Sequence, residues 1–231
     1  KYTFNPAAVY EDGEVHIVYR AMGQDNTSVL GYALSRDGVH INERLDKPIY
    51  VPREEFEVKL GLGNSGCEDP RITRIDDRFY MLYTAFDGRE HTRVALTSIR
   101  IEDFLKHEWN WEKPIIISPP DLNDKNACLF PEKVSGKYVV LHRIYHSIWI
   151  DFVDDLHFSQ NKLVYGNVLM QTRKGKWDSD RVGIGPPPIK TPYGWLLIYH
   201  GLSEEDKKYR LGLALLSLEN QTQVIARLDN P

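Results

Sequence analysis

Cysteine is nearly absent from the sequence, with only Cys67 and Cys128 in 231 residues. Two isolated thiols with no CxxC spacing indicate neither a disulfide framework nor a metal site, so reduced thiols and no metal are expected. Long apolar runs are missing as well. None approaches the roughly 20 residues that a membrane-spanning helix needs. No block of Lys and Arg occurs, and 33 acidic residues outnumber 29 basic ones, for a formal net charge of −4. Nucleic acid and anionic membrane are therefore not expected as main partners. Helix-favouring segments are scarce too: "IEDFLKH" at 101–107 suits a turn or two and little else does.

What the sequence does have is apolar content and a repeat. With 42% hydrophobic and 27% charged residues there is ample core for a single all-β domain spanning 1–231. Four segments share one pattern: "NPAAVYEDGEVHIVYRA" from Asn5, "DPRITRIDDRFYMLYTA" from Asp69, "FPEKVSGKYVVLHRI" from Phe130 and "PPPIKTPYGWLLIYHG" from Pro186. Each holds a proline, then a turn signal, then a β-branched and aromatic run that ends on a polar residue, namely Arg20, Thr84, Arg143 or His200. The prolines Pro6, Pro70, Pro131 and Pro187 recur about every 60 residues, the scale of propeller blades. The runs read as strands because they are short, rich in Val, Ile, Tyr and Trp, and follow tight-turn residues. A further strand follows each, in "VLGYALSRDG", "RVALTSI", "IWIDFVDDLHF" and "RLGLALLSL". Two hairpins per unit make a four-stranded blade, so the expected fold is a β-propeller with about four recognisable blades. A β-sandwich is the alternative, but it has no need of this period.

In a propeller, residues beside the entries of the innermost strands converge on one mouth of the central channel. Taking the prolines as those entries brings together Asn5, Glu68, Asp69, Lys125, Asn126, Glu132, Lys133 and Arg181. The strand-end residues Arg20, Arg143 and His200 are candidates to join them, and Arg71, two residues from Asp69, is expected to share its face. Such a mouth holds one or two carboxylates and many cations. Each residue alone has an ordinary structural reading, as a turn acid, a rim arginine or a hydrogen-bonded histidine. Their recurrence at equivalent repeat positions is what singles them out.

The stretches "FNPAA…YRA", "GCEDPRI", "LFPEK…LHR", "IGPPPIKT" and "GWLLIYHG", in this order along essentially the whole chain, resemble the successive motifs of glycoside hydrolase family 130. The resemblance implies a five-bladed propeller, and a chain that stops short of the family's C-terminal stretch. It implies β-mannoside phosphorylase activity, with Asp69 of "EDPR" as the catalytic acid, its proton passing through the 3-hydroxyl of the sugar. Asn5, Arg20 and Glu68 would bind substrate, with Arg71 beside them. Lys133, Arg143, His200, Arg181, Lys125 and Asn126 would hold phosphate. The expected partners are a β-mannoside of the β-1,4-mannosyl-N-acetylglucosamine or manno-oligosaccharide type and inorganic phosphate as co-substrate, with no organic cofactor. By analogy the family also implies cytoplasmic use on imported sugars and homo-oligomers.

The chemistry is consistent with those residue types. An inverting glycosidase needs an acid and a base that activates water. A phosphorylase needs no base, because phosphate arrives as an anionic nucleophile and requires a cationic cradle instead. Three other readings stay open on sequence: a β-mannosidase using Asp178 or Asp180 as base, a carbohydrate-binding propeller without turnover, and a protein-binding scaffold.

Overall fold

The computed structural model describes residues 2–89, 91–158 and 163–231. The chain divides into two compact units, residues 1–116 and 117–231.

The first unit holds two antiparallel meanders. One comprises β1 (Tyr2–Glu11), β2 (Glu14–Met22), β3 (Thr27–Ser35) and the short β4 (Glu43–Arg44); the other comprises β5 (Ser65–Ile75), β6 (Arg78–Phe86), β7 (Arg93–Arg100) and β8 (Ile115–Ile116). A parallel bridge, Thr27 to Ser65 and Ser28 to Gly66, joins the two. Gly66 is obligatory there. Its φ is +102°, and a Cβ would stand 2.2 Å from the Ser28 carbonyl oxygen. The segment expected to be helical forms α1 (Ile101–Leu105), whose Phe104 sinks into the core beside Tyr32, Phe79 and Trp109. That core, with Val18, Leu30, Cys67, Met81 and Tyr83, is almost wholly withdrawn from water.

The second unit repeats the plan. One sheet is β9 (Asp124–Leu129), β10 (Tyr138–Ile144), β11 (Ser147–Val153) and β12 (Asn167–Met170). The other is β13 (Arg181–Ile184), β14 (Ile189–Thr191), β15 (Gly194–Leu202), β16 (Tyr209–Leu216) and β17 (Val224–Arg227). Its core gathers Cys128, Phe130, Leu141, Ile150, Val182, Trp195, Leu197 and Tyr199. In three of the meanders the strands pair with their sequence neighbours, and in the fourth β13 and β14 both pair with β15, which leads on to β16 and β17; this antiparallel order is the four-stranded blade of a propeller and not a sandwich.

Two expectations about the repeat need correction. Pro6, Pro70 and Pro131 do not mark strand entries. Pro6 and Pro70 lie in the middle of β1 and β5, each directly after a residue with positive φ, Asn5 at 34° and Asp69 at 51°. Pro131 is not their counterpart, because it follows β9 in the loop to β10. The counterpart is Ala127, after Asn126 at φ 53°. The third repeat carries two more residues between bulge and turn, which put the sequence alignment out of register.

The acids suggested as an alternative base have other work. Asp178 is fully buried and serves the fold. Arg173 donates Nε to Oδ1 at 3.1 Å and Nη2 to Oδ2 at 2.9 Å, Arg227 donates Nη2 at 2.5 Å, and the Tyr199 hydroxyl donates at 2.9 Å. Burial opposes ionisation of this carboxyl, but the hydrogen bonds from Arg173 and Tyr199 and the charge of Arg227 outweigh it and hold the group below the usual carboxylate range. Asp180 is ion-paired with Arg181 at 3.3 Å and Lys207 at 3.5 Å.

Removing the Asp178 carboxylate would strand two guanidinium groups, so Asp178→Ala is expected to cost on the order of 3–5 kcal/mol, measurable by urea unfolding. The folded group titrates lower than the unfolded one. Its contribution is therefore complete above the ordinary value of 3.8 and fades as pH falls through the lower folded value. Acid unfolding of Asp178→Asn should accordingly show a shallower loss of stability below that pH than the unaltered chain.

Candidate active site

In the first unit the site is built on a bulge. Glu68 pairs with Thr84 and Arg71 with Leu82, so Asp69 and Pro70 together face the single residue Tyr83. A regular strand would turn Glu68 and Asp69 to opposite faces. The extra residue lets two consecutive carboxylates serve one neighbourhood. It also puts Arg71 in the alternation of Glu68 and not of Asp69. Arg71 donates Nη1 to the Asp69 carbonyl oxygen at 2.7 Å, so it braces the backbone of the bulge.

Two adjacent carboxylates in a largely buried position require a cation, and Arg20 on β2 supplies it. Its Nη2 donates to Glu68 Oε1 at 2.6 Å and its Nη1 to Asp69 Oδ1 at 3.2 Å. The side chains of Arg20, Glu68 and Asp69 are only 13%, 9% and 13% exposed. Ser28 accepts the Arg20 Nε proton at 2.9 Å, and the guanidinium lies 5.2 Å from the centroid of the Phe4 ring. Asn5 occupies the equivalent bulge of β1, where Phe4 pairs with Arg20 and Ala7 with Val18, and it is exposed. The structure thus brings Arg20, Glu68, Asp69 and Arg71 together, with Asn5 in the bulge of the neighbouring blade.

Behind this group lies a polar knot that sequence reading missed. Glu57 is fully buried and accepts hydrogen bonds from the Tyr50 hydroxyl at 3.1 Å, from the Tyr83 hydroxyl, and from the backbone N–H groups of Arg53 and Glu54 at 2.8 and 2.9 Å. Burial, with the charge of Glu57 among the lesser causes, pushes the Tyr83 hydroxyl and the Cys67 thiol well above their usual ranges, so both stay protonated. In "PREEFEVK" Glu57 reads as one solvated acid among several, and no local signal separates it from Glu54 or Glu55. Among the other aromatics, Trp195 is core and Tyr145 is exposed.

The second unit carries the cations. Lys125 on β9 is the cross-strand partner of Arg143 on β10, and the bulged residues Asn126 and Ala127 face His142. On the next blade His200 pairs with Gly183, and Arg181 lies two residues before that glycine on β13. The two blades are stitched at this end by Val182 N–H donating to the His146 carbonyl at 2.9 Å. Gly183 is where the side chains meet: a Cβ there would stand 2.5 Å from His200 Nε2 and 2.8 Å from Asn126 Oδ1. Lys125, Asn126, Arg143, Arg181 and His200 therefore share one end of the two sheets, with Tyr209 edge-on to His200 at 5.7 Å between ring centroids.

Lys133 does not join them. It is exposed in the loop between β9 and β10, with Nζ 4.3 Å from the Tyr138 ring centroid. From Tyr138 to Arg143 the strand advances five residues, roughly 16 Å at about 3.3 Å each. Glu132 shares that loop and is ion-paired with Lys190. The misplacement of Pro131 in the repeat carried Lys133 with it.

Comparison with known proteins follows the same lines. The sequence model of glycoside hydrolase family 130, described as β-1,4-mannooligosaccharide phosphorylase, matches residues 1–231. A 1,2-β-oligomannan phosphorylase of Thermoanaerobacter sp. (strain X514) is 42% identical over 239 residues, covering 99% of this chain and 73% of the relative. A β-1,2-mannobiose phosphorylase from Listeria innocua, solved with β-1,2-mannobiose, superposes with a TM-score of 0.77 at 26% identity, covering 99% of this chain and 76% of that one. A second structure, with a TM-score of 0.81 at 27% identity over 99% of this chain and 70% of that one, comes from work on glycoside hydrolases of this family that target β-1,2 mannosidic linkages in Candida mannan.

The close approach at Gly183 makes a direct check. Gly183→Ala must push the His200 ring and the Asn126 amide apart. We expect a cost of about 1–3 kcal/mol in thermal unfolding. The imidazole proton resonances of His200 should shift.

Proposed function

The chain belongs to glycoside hydrolase family 130, and from that premise we propose that it catalyses inverting phosphorolysis of a β-mannoside to α-mannose 1-phosphate. The observation that carries this reading is the composition of the second-unit cluster: Lys125, Asn126, Arg143, Arg181 and His200 gather at one strand end, and the nearby acids Asp124, Asp178 and Asp180 are already engaged by cationic or histidine partners. A hydrolase needs a carboxylate free to activate water, whereas a phosphorylase needs an anion site. The 42% identity to a 1,2-β-oligomannan phosphorylase favours a β-1,2-linked substrate over a β-1,4-linked one.

Asp69 is the proton donor, and its proton reaches the leaving oxygen. Arg20 and Glu68 hold the sugar side of the site, with Arg20 paired to Glu68 and within reach of Asp69. Arginine and lysine of the second unit bind phosphate, Arg143 and Arg181 through paired N–H groups and Lys125 as a point charge. The phosphate oxygen forms a bond to the anomeric carbon as the glycosidic C–O bond breaks, with inversion, and the acceptor leaves as an alcohol. Holding the anion for in-line attack is the entropic part of the catalysis.

Incubation with β-1,2-mannobiose and with β-1,4-mannobiose, each with and without inorganic phosphate, tests the reading. Mannose 1-phosphate should form only with phosphate, and faster from the β-1,2 substrate. Asp69→Asn should lower kcat by roughly 10³-fold, within the usual contribution of a general acid. Arg143→Ala should raise the KM for phosphate by about 10–100-fold, as expected for a lost charged hydrogen bond, while Lys133→Ala leaves it unchanged. Free mannose released without phosphate would make the chain a hydrolase, and binding without any product would make it a lectin-like propeller.

A further inference from the structure

Asn5, Asp69 and Asn126 are non-glycine residues with φ of 34°, 51° and 53°. Each lies in a bulge whose two residues face one residue of the next strand: Tyr19, Tyr83 and His142 respectively. A bulge gives up ladder hydrogen bonds, so its shape depends on the residue across from it. In two of the three blades that residue is gripped by a carboxylate fully removed from solvent. Glu57 accepts the Tyr83 hydroxyl proton, and Asp124 Oδ2 lies 2.7 Å from His142 Nδ1. In the first blade Tyr19 is held instead by the exposed Arg44, at 2.7 Å. The catalytic reading uses neither Glu57 nor Asp124.

A buried carboxylate is costly unless well satisfied, and stability alone is a poor reason to keep one. The second pair is not even saturated: Asp124 Oδ1 and His142 Nε2 make no hydrogen bond among the described residues. Its placement is more informative. Asp124 directly precedes Lys125 and Asn126, and His142 directly precedes Arg143. One side-chain bond thus closes a small ring of backbone around the proposed phosphate ligands. Glu57 holds Tyr83 across from the acid, and its bonds to the Arg53 and Glu54 backbone anchor it to the segment ahead of β5.

Resting on the phosphorylase reading, we propose that Glu57 and Asp124 are positioning residues. Each clamps the residue opposite a bulge and so fixes the backbone that presents Asp69 in the first unit and Asn126, with its neighbours Lys125 and Arg143, in the second. The two clamps serve different parts of the reaction, which gives a signature that loss of stability alone does not.

The test is steady-state phosphorolysis by the full chain, with KM for phosphate and kcat measured separately. Glu57→Gln and Tyr83→Phe should each lower kcat by about 10-fold and leave the phosphate KM within about 2-fold, on the scale seen when an outer partner of a reactive group is lost. Asp124→Asn should raise the phosphate KM by about 10-fold with a smaller change in kcat. Should an unpaired charge prevent folding, Tyr83→Phe and the double variant Asp124→Leu/His142→Phe, which leaves no buried charge alone, carry the measurement. Folded variants with wild-type constants would overturn the proposal, as would equal loss of both constants in the two sets. Absence of phosphate-dependent turnover in the unaltered chain would overturn the phosphorylase reading and the positioning role with it. Normal turnover with unresponsive variants would overturn the positioning role alone.

Discussion

A β-strand sends successive side chains to opposite faces, and that regularity is the obstacle this protein has to overcome at its chemistry. Glu68 and Asp69 are adjacent, yet both meet Arg20. They do so because Asp69 adopts φ 51° in a bulge, which costs ladder bonds and an unfavourable backbone conformation for a residue with a Cβ. Pro70 limits the chain on one side, the Arg71 side chain ties down the Asp69 carbonyl, and Tyr83 stands across the gap. The same device at Asn5 and Asn126 places polar side chains where a regular strand would not. The bulge is what turns a blade made for packing into one that carries a site.

Charge is then distributed to suit. The first unit balances two carboxylates with one guanidinium in a partly buried setting, where unpaired like charges could not persist. The second unit leaves cations in the majority at the strand end holding Lys125, Arg143, Arg181 and His200, and the carboxylates around them are each taken up by a partner. Asp178 illustrates the difference between a buried acid that serves the fold and one that serves a reaction. Four donor contacts from Arg173, Arg227 and Tyr199 leave its oxygens committed.

Small residues matter where strands must come close. Gly66 lets the parallel bridge between blades form, and Gly183 leaves room for the His200 ring and the Asn126 amide on the same spot. Neither requirement is visible in composition. Both follow from backbone or side-chain atoms that arrive from other elements.

The sequence by itself determined the strands, their grouping in four repeats and the residue types of the site, because these rest on local properties: β-branched and aromatic runs, turn dipeptides, and motifs such as "EDPR" that keep acid, proline and arginine in order. Asp69, Arg20, Arg143 and His200 stood out as candidates for that reason. Only the tertiary structure decided register. An alignment on prolines equated Pro131 with Pro6 and Pro70 and so drew Lys133 toward Lys125, Arg143 and His200, whereas the bulge at Asn126 is the true equivalent and leaves Lys133 at the other end of β10. Tertiary structure also decided which acids are buried. Glu57, Asp124 and Asp178 look like any solvated carboxylates in the chain, and their roles come from tyrosine, histidine and arginine side chains that lie 18 or more residues away in the cases of Tyr83, His142 and Arg227. Burial and pairing are properties of the packed chain, and no local pattern encodes them.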